Sequence, residues 1–260
     1  MRRFLLVLMF LTVPGAASAG AWLQPQGDGQ VIATVIYSGA GTGYDANSRA
    51  DQPASFHKLW SSIWAEYGLA KKLTLIFTPE YAHATTRDTS GYETRASDFA
   101  WGLGLRWRIT DAFGTLSLQA LAKSAGAFDM SVSVNDQAGK QGELRLLYGT
   151  NFTLFHHNGF LDVEAGERWI AGARPDETVA DFTLGYHILR HDMVMLQSFN
   201  TVSGGDARAP YVYYRAHKLE LSWVTEFRHG VSLQSGTYFS PAGQNSLDEK
   251  GAQVSLWVNF

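Results

Sequence analysis

Apolar and polar residues alternate along most of this chain with a period of two. In DFAWGLGLRWRI, residues 98–109, Phe99, Trp101, Leu103, Leu105, Trp107 and Ile109 fall on one face, opposite Asp98, Ala100, Gly102, Gly104, Arg106 and Arg108. Successive side chains of a strand point to opposite sides, so this spacing predicts a strand with one apolar face. The same split places Leu73, Leu75, Phe77 and Tyr81 against Thr74, Thr78 and Glu80. It places Leu161, Val163 and Trp169 against Asp162, Glu164, Gly166 and Arg168, and Leu219, Leu221, Trp223 and Phe227 against Lys218, Glu220, Ser222 and Glu226.

About twelve such segments are predicted, over 30–38, 56–69, 73–83, 98–109, 115–124, 141–152, 160–170, 178–188, 193–202, 211–227, 231–240 and 250–260. The links between them take turns. Short ones fall at 70–72, 111–114, 156–159, 190–192 and 228–230, and longer polar ones at 39–55, 84–97, 125–140, 171–177, 203–210 and 241–249. Short periplasmic turns alternating with longer outer loops, around an even number of strands, are the pattern of an up-and-down transmembrane β-barrel with both termini on the periplasmic side. The predicted fold class is therefore all-β, an antiparallel barrel of about twelve strands. A soluble sandwich shares the period of two but points its apolar faces inward. Aromatic residues near strand ends, among them Trp60, Trp64, Tyr67, Trp101, Trp107, Phe113, Trp169, Trp223 and Phe227, favour the membrane reading, because such rings gather at the two bilayer interfaces.

The N-terminus adds a compartment. Arg2 and Arg3 precede an apolar run over 4–13, Pro14 and Gly15 break it, and Ala17-Ser18-Ala19 supplies the small residues that a signal peptidase reads. The run is shorter than the roughly 20 apolar residues of a spanning helix. Residues 1–19 are thus predicted to be a cleaved signal peptide and 20–260 the barrel domain. Removing the leader takes Lys+Arg from 21 to 19 against 24 acidic residues, a net charge near −5 that is no footprint for nucleic acid. The chain has no cysteine, which excludes a disulfide scaffold and thiolate metal centres.

The last residues, VSLWVNF, place Val254, Leu256, Val258 and Phe260 on one face. This stretch resembles the C-terminal strand of Gram-negative outer-membrane β-barrels, which ends in Phe and is recognised by the barrel-assembly machinery. The resemblance implies an outer-membrane location, Phe260, Val258 and Leu256 as the assembly signal, lipid and lipopolysaccharide as surroundings, and closure of the last strand against the first near Val31 to Tyr37. The stretches AWLQPQGDGQ (21–30) and EYGLAKKLTLIFTPEY (66–81) also resemble proteobacterial envelope proteins of the transporter and porin-like kind, which implies transport.

The polar faces supply the candidate chemistry. Basic Lys58, Arg106, Arg108, Lys123, Arg145, Arg168 and Lys218 and acidic Glu66, Glu80, Glu143, Asp162, Glu164, Asp181 and Glu220 are expected in the lumen. They can brace it by ion pairs, because an unpaired buried charge is costly. They can also form a narrow polar channel for a small polar solute, with Arg106, Arg108, Lys123, Glu143, Arg145, Asp162, Glu164 and Arg168 setting its selectivity. The expected function is a passive channel or small-solute transport protein. The alternatives are a non-conducting barrel that binds envelope partners or presents loops, and an outer-membrane lipid hydrolase.

The hydrolase reading finds little support. Outer-membrane phospholipases and lipid A deacylases resemble this chain in size and use a His and a Ser on the barrel exterior, yet no His-x-Ser occurs. His229 and Ser232 have the wrong spacing, and there is no Gly-x-Ser-x-Gly elbow. No catalytic residue is assigned and no cofactor is expected. His156-His157 is read as a solvated turn and not as a metal site, SGAGTGYD (38–45) as a flexible loop, and VNDQAG (134–139) and RDTSGYE (87–93) as loop tips without calcium-loop spacing.

Overall fold

The computed structural model describes residues 20–87, 90–124, 139–205, 207–208 and 211–260. The leader predicted over 1–19, residues 134–138 of VNDQAG and residues 88–89 of RDTSGYE lie outside the described residues. The strands, in chain order, are β1 (Gly29–Tyr44), β2 (Gln52–Ala70), β3 (Leu73–Arg87), β4 (Glu93–Thr110), β5 (Thr115–Lys123), β6 (Gln141–Leu154), β7 (His157–Ile170), β8 (Glu177–His187), β9 (Asp192–Ser203), β10 (Arg215–Glu226), β11 (Val231–Gln244), the two-residue β12 (Ser246–Leu247) and β13 (Lys250–Asn259). Among the described residues the only helix is a single 3₁₀ turn at Arg228–Gly230, and no helix is long and apolar enough to cross a membrane.

Each long strand pairs antiparallel with its neighbours, and the ring closes where β1 meets β13. The closing register runs from Gln30 opposite Asn259 to Gly39 opposite Lys250. Phe260 N–H donates to the Gly29 carbonyl at 2.9 Å, and Gly29 N–H donates to the Phe260 carbonyl at 2.7 Å. The seam forms where the sequence predicts it, and the twelve long strands satisfy their backbone groups around a ring without an edge, as hydrocarbon requires.

The two faces sort as expected. Phe99, Trp101, Leu103, Leu105, Trp107 and Ile109 are exposed on the exterior of β4, whereas Ala100 and Arg106 are each only 1 % exposed in the interior. Val254, Leu256 and Phe260 also lie on the exterior. An outward apolar belt around an interior of buried charges is a membrane arrangement, the inverse of a soluble sandwich. Trp60 and Trp64 correct the girdle prediction. Both share the parity of inward-facing Glu66, Trp64 Nε1–H donates to Glu66 Oε1 at 2.7 Å, and Trp60 packs against buried Phe56, Ala82 and Ala84.

The wall is tallest at β1 to β4, where strands run past their predicted outer ends. The stretch predicted as a glycine-rich loop, 38–45, is strand as far as Tyr44, because β2 continues the ladder past a bulge at Ala40/Thr42 and β12 pairs with Gly43 and Tyr44. Conversely, β10 begins at Arg215 and not at 211. The chain before it turns Tyr214 into the interior, where Ser203 Oγ accepts its backbone N–H at 2.8 Å.

Candidate functional site

The interior of the ring holds a segment that the strand pattern does not reveal. Residues 20–28 precede β1 and cross the lumen. Gly20 and Ala21 lie at β7, where Ala21 N–H donates to Asp162 Oδ2 at 2.7 Å. Ser117 on β5 donates to the Ala21 carbonyl at 2.6 Å, and Arg106 on β4 donates to the Trp22 carbonyl at 2.8 Å. Gln24 N–H donates to Thr74 Oγ1 on β3 at 3.1 Å, and its side-chain amide donates to Glu66 on β2 at 3.1 Å. Gln26 makes an isolated bridge to Gly68, at which a Cβ would run into the carbonyls of Gln24 and Pro25. Since β7 is six strands from β1 either way round a ring of twelve, the segment is a diametric strap at the periplasmic end, where β1 begins.

One aromatic contact supplements these bonds. Trp22 meets Phe160 edge to face, with ring centroids 5.7 Å apart, and packs against an interior cluster of Phe160, Met193, Met195, Val224 and Trp257. The lumen is therefore not uniformly polar. Its β7, β9, β10 and β13 wall carries an apolar patch near the periplasmic end, and the strap seats its one large ring there.

Above the strap, the predicted lumen charges meet as ion pairs. Arg106 pairs with Glu66 at 2.8 Å and donates from Nε and Nη2 to Gln119 Oε1. Lys123 reaches Glu80 at 3.4 Å. Arg145 contacts Glu143, Asp181 and, at 3.0 Å, Glu164. Arg168 joins Glu143 at 2.8 Å to Glu177 at 2.6 Å, and Glu177 also accepts from Arg174 and from the Tyr214 hydroxyl. Asp162 holds the strap. Arg108 stands apart from this network, at the periplasmic rim, donating to the Lys71 carbonyl at 2.9 Å and pairing with Asp111 at 3.4 Å.

A second cluster closes on Glu249, which lies between β12 and β13. Lys58 on β2 reaches it at 2.8 Å and Lys218 on β10 at 2.7 Å, and Ser38 and Tyr238 both donate to it. Burial pushes the Glu249 carboxyl up, but the two ammonium groups outweigh burial and hold it well below the usual carboxylate range. Glu220 sits apart, accepting from the side-chain amides of Gln234 and Gln253. Glu177 and Glu249, absent from the sequence-derived set, are thus the acids on which several elements converge.

No protein-family model and no curated protein matches the sequence. Solved structures do match over nearly the whole chain. An outer-membrane channel from Pseudomonas putida F1 superposes with a TM-score of 0.72 at 14 % identity, covering 95 % of this chain and 99 % of that one. The fold is that of a Gram-negative outer-membrane β-barrel. The translocator domain of the autotransporter NalP from Neisseria meningitidis gives 0.60 at 14 % identity, covering 95 % of this chain and 91 % of that one, and the NanC porin gives 0.55 at 10 % identity, covering 87 % and 98 %. An outer-membrane barrel can serve as channel, porin or translocator, so the role of this one must be argued from its lumen. Among the described residues no group of His, Asp and Glu is arranged to hold a metal ion.

Proposed function

We propose that the chain works in the outer membrane of a Gram-negative bacterium as a channel for small polar solutes, held closed at its periplasmic mouth by residues 20–28. The observation that carries this reading is how the strap is held. It lies across the lumen on side-chain hydrogen bonds, one ring contact and, at its β1 end, a bridge of main-chain bonds between Gly27, Asp28 and Gly68, and residues 20–25 are not woven into the ladder that forms the wall. Such a segment can withdraw without opening the barrel, and the ring it vacates is lined by Arg106, Lys123, Glu143, Arg145, Asp162, Glu164 and Arg168. These residues are the candidates for selectivity, since rows of paired charge across a narrow polar path favour dipolar solutes. Arg108, at the rim, would act on entry. Phe260, Val258 and Leu256 would present the last strand to the barrel-assembly machinery, and the outer loops would meet lipopolysaccharide.

A second reading, a non-conducting barrel that binds envelope partners, is favoured by the mutual pairing of the lumen charges. A tether separates the two. The chain has no cysteine, so Gln24→Cys with Thr74→Cys introduces a single pair, at positions already in hydrogen-bond contact. In planar bilayers the reduced double variant should show discrete conductance steps, and the oxidised form should be silent. Silence in both forms, and also after deletion of 20–27, would establish the non-conducting reading.

A further inference from the structure

Asp162 has a partner problem. It is 3 % exposed, in the interior of β7, and among the described residues it has no ion pair. Glu164, on the same face of the same strand, shares a hydrogen bond with it, Asp181 and Glu143 converge on the one guanidinium of Arg145, and Arg106, the cation near enough to act on it, is paired with Glu66. The beginning of the strap also touches Asp162. Ala21 donates its backbone N–H, and the Gly20 Cα lies so close that a Cβ built on it would collide with the carboxylate. The Gly20 nitrogen is one bond, about 1.46 Å, from that Cα.

We propose that removal of residues 1–19 completes the closed state by placing the new α-ammonium of Gly20 against the Asp162 carboxylate, with Glu164 beside it. The inference rests on the cleavage after Ala19 that the sequence predicts. In that step water adds across the Ala19–Gly20 peptide bond, leaving a carboxylate on the departing Ala19 and an amine on Gly20 that takes up a proton. Cleavage thus creates a cation beside a buried carboxyl group that has no ion pair among the described residues, at the end of the strap opposite its covalent join to β1. A buried charge without a partner is costly, and a paired one is not. The unprocessed chain carries a neutral amide at that position and lacks this latch. A side chain at the new terminus would push the Asp162 carboxylate aside.

The test uses protein isolated from outer membranes. Mass spectrometry of its N-terminal peptide reads where the chain begins. A start other than Gly20 overturns the processing on which the inference rests and leaves the channel reading untouched. With Gly20 first, the folded protein is treated with limiting acetic anhydride at neutral pH, and acetylation of the α-amine is followed by peptide mapping against the same protein in denaturant. The expected result is at least tenfold protection of the α-amine in the folded barrel, lost in Asp162→Asn. If that variant does not fold, a barrel with one alanine inserted before Gly20 retains Asp162 and moves the amine away from it. Its α-amine should be labelled at the denatured rate. Labelling of the natural α-amine at the denatured rate, or full protection in Asp162→Asn or the inserted variant, overturns the proposal.

Discussion

The guanidinium of Arg106 donates to the backbone carbonyl of Trp22 at 2.8 Å, so the wall of the barrel holds the strap by its main chain, whatever side chain Trp22 carries. The same guanidinium pairs with Glu66, which in turn accepts from Gln24 two residues further along the strap. Wall and strap share one network.

That network predicts a contrast between neighbouring arginines. Arg106→Gln removes a buried ion pair and the bond to Trp22, a loss of about 3–5 kcal/mol for a broken buried pair, and should raise the fraction of time that single channels are open. Arg108→Gln, at the rim, should leave gating unchanged and alter stability by about 0–1 kcal/mol. Single-channel recording of both proteins in planar bilayers checks this, and equal behaviour of the two would remove Arg106 from its place in the closure.

Trp22→Ala should unseat the strap while preserving its backbone bonds. The ring contributes the contact with Phe160 and the cover over Met193 and Met195, and aromatic truncation costs about 3–5 kcal/mol in a packed setting. The wall does not depend on it, so the heat-modifiable mobility of the barrel should persist while proteolysis within 20–28 becomes faster. Limited digestion followed by mass spectrometry reads this directly.

At the seam, Phe260 contributes two backbone bonds with Gly29 and an exposed ring. Deleting Phe260, or replacing it with Asp, should sharply reduce folded protein in the outer-membrane fraction. Asp51→Asn, in the loop between β1 and β2, should not. Normal heat-modifiable migration of the Phe260 variant would refute its role as an assembly signal.

Glu249 predicts a pH dependence. Because its folded carboxyl titrates below the ordinary range, ionised Glu249 stabilises the outer cluster at all pH values above the unfolded carboxylate value, and that contribution is lost as pH falls toward the folded value. Loss of barrel stability on acidification below about pH 4 should be smaller in Glu249→Gln, which starts without the pair and is less stable at neutral pH. Urea unfolding at pH 7 and pH 3, followed by tryptophan fluorescence, measures both. Equal acid sensitivity of the two proteins would refute the assignment.

The wall was legible in the sequence because one property, alternation at a period of two, decides strand, face and neighbour together, and VSLWVNF carries the closure as well. Three things were not. The strap has no period: Gln24, Pro25, Gln26 and Gly27 look like a linker, and only the barrel around them makes them a strap across its lumen. Trp60 and Trp64 are aromatic near a strand end, the composition of a girdle, and only the register with inward-facing Glu66 places them in the lumen. Glu177 and Glu249 close predicted links and not predicted strands, so no face could be assigned to them, although each collects several partners. Phe160, Met193, Met195 and Trp257 show that a lumen can be locally apolar, which alternation alone does not anticipate.

The strap is continuous with β1 at one end and reaches β7 at the other, so its one covalent anchor lies in the wall. The braced charges and the Glu249 cluster stand on its outer side. On the channel reading proposed above, a stimulus that withdraws the strap would reach it from the periplasm, opposite the side on which a solute enters.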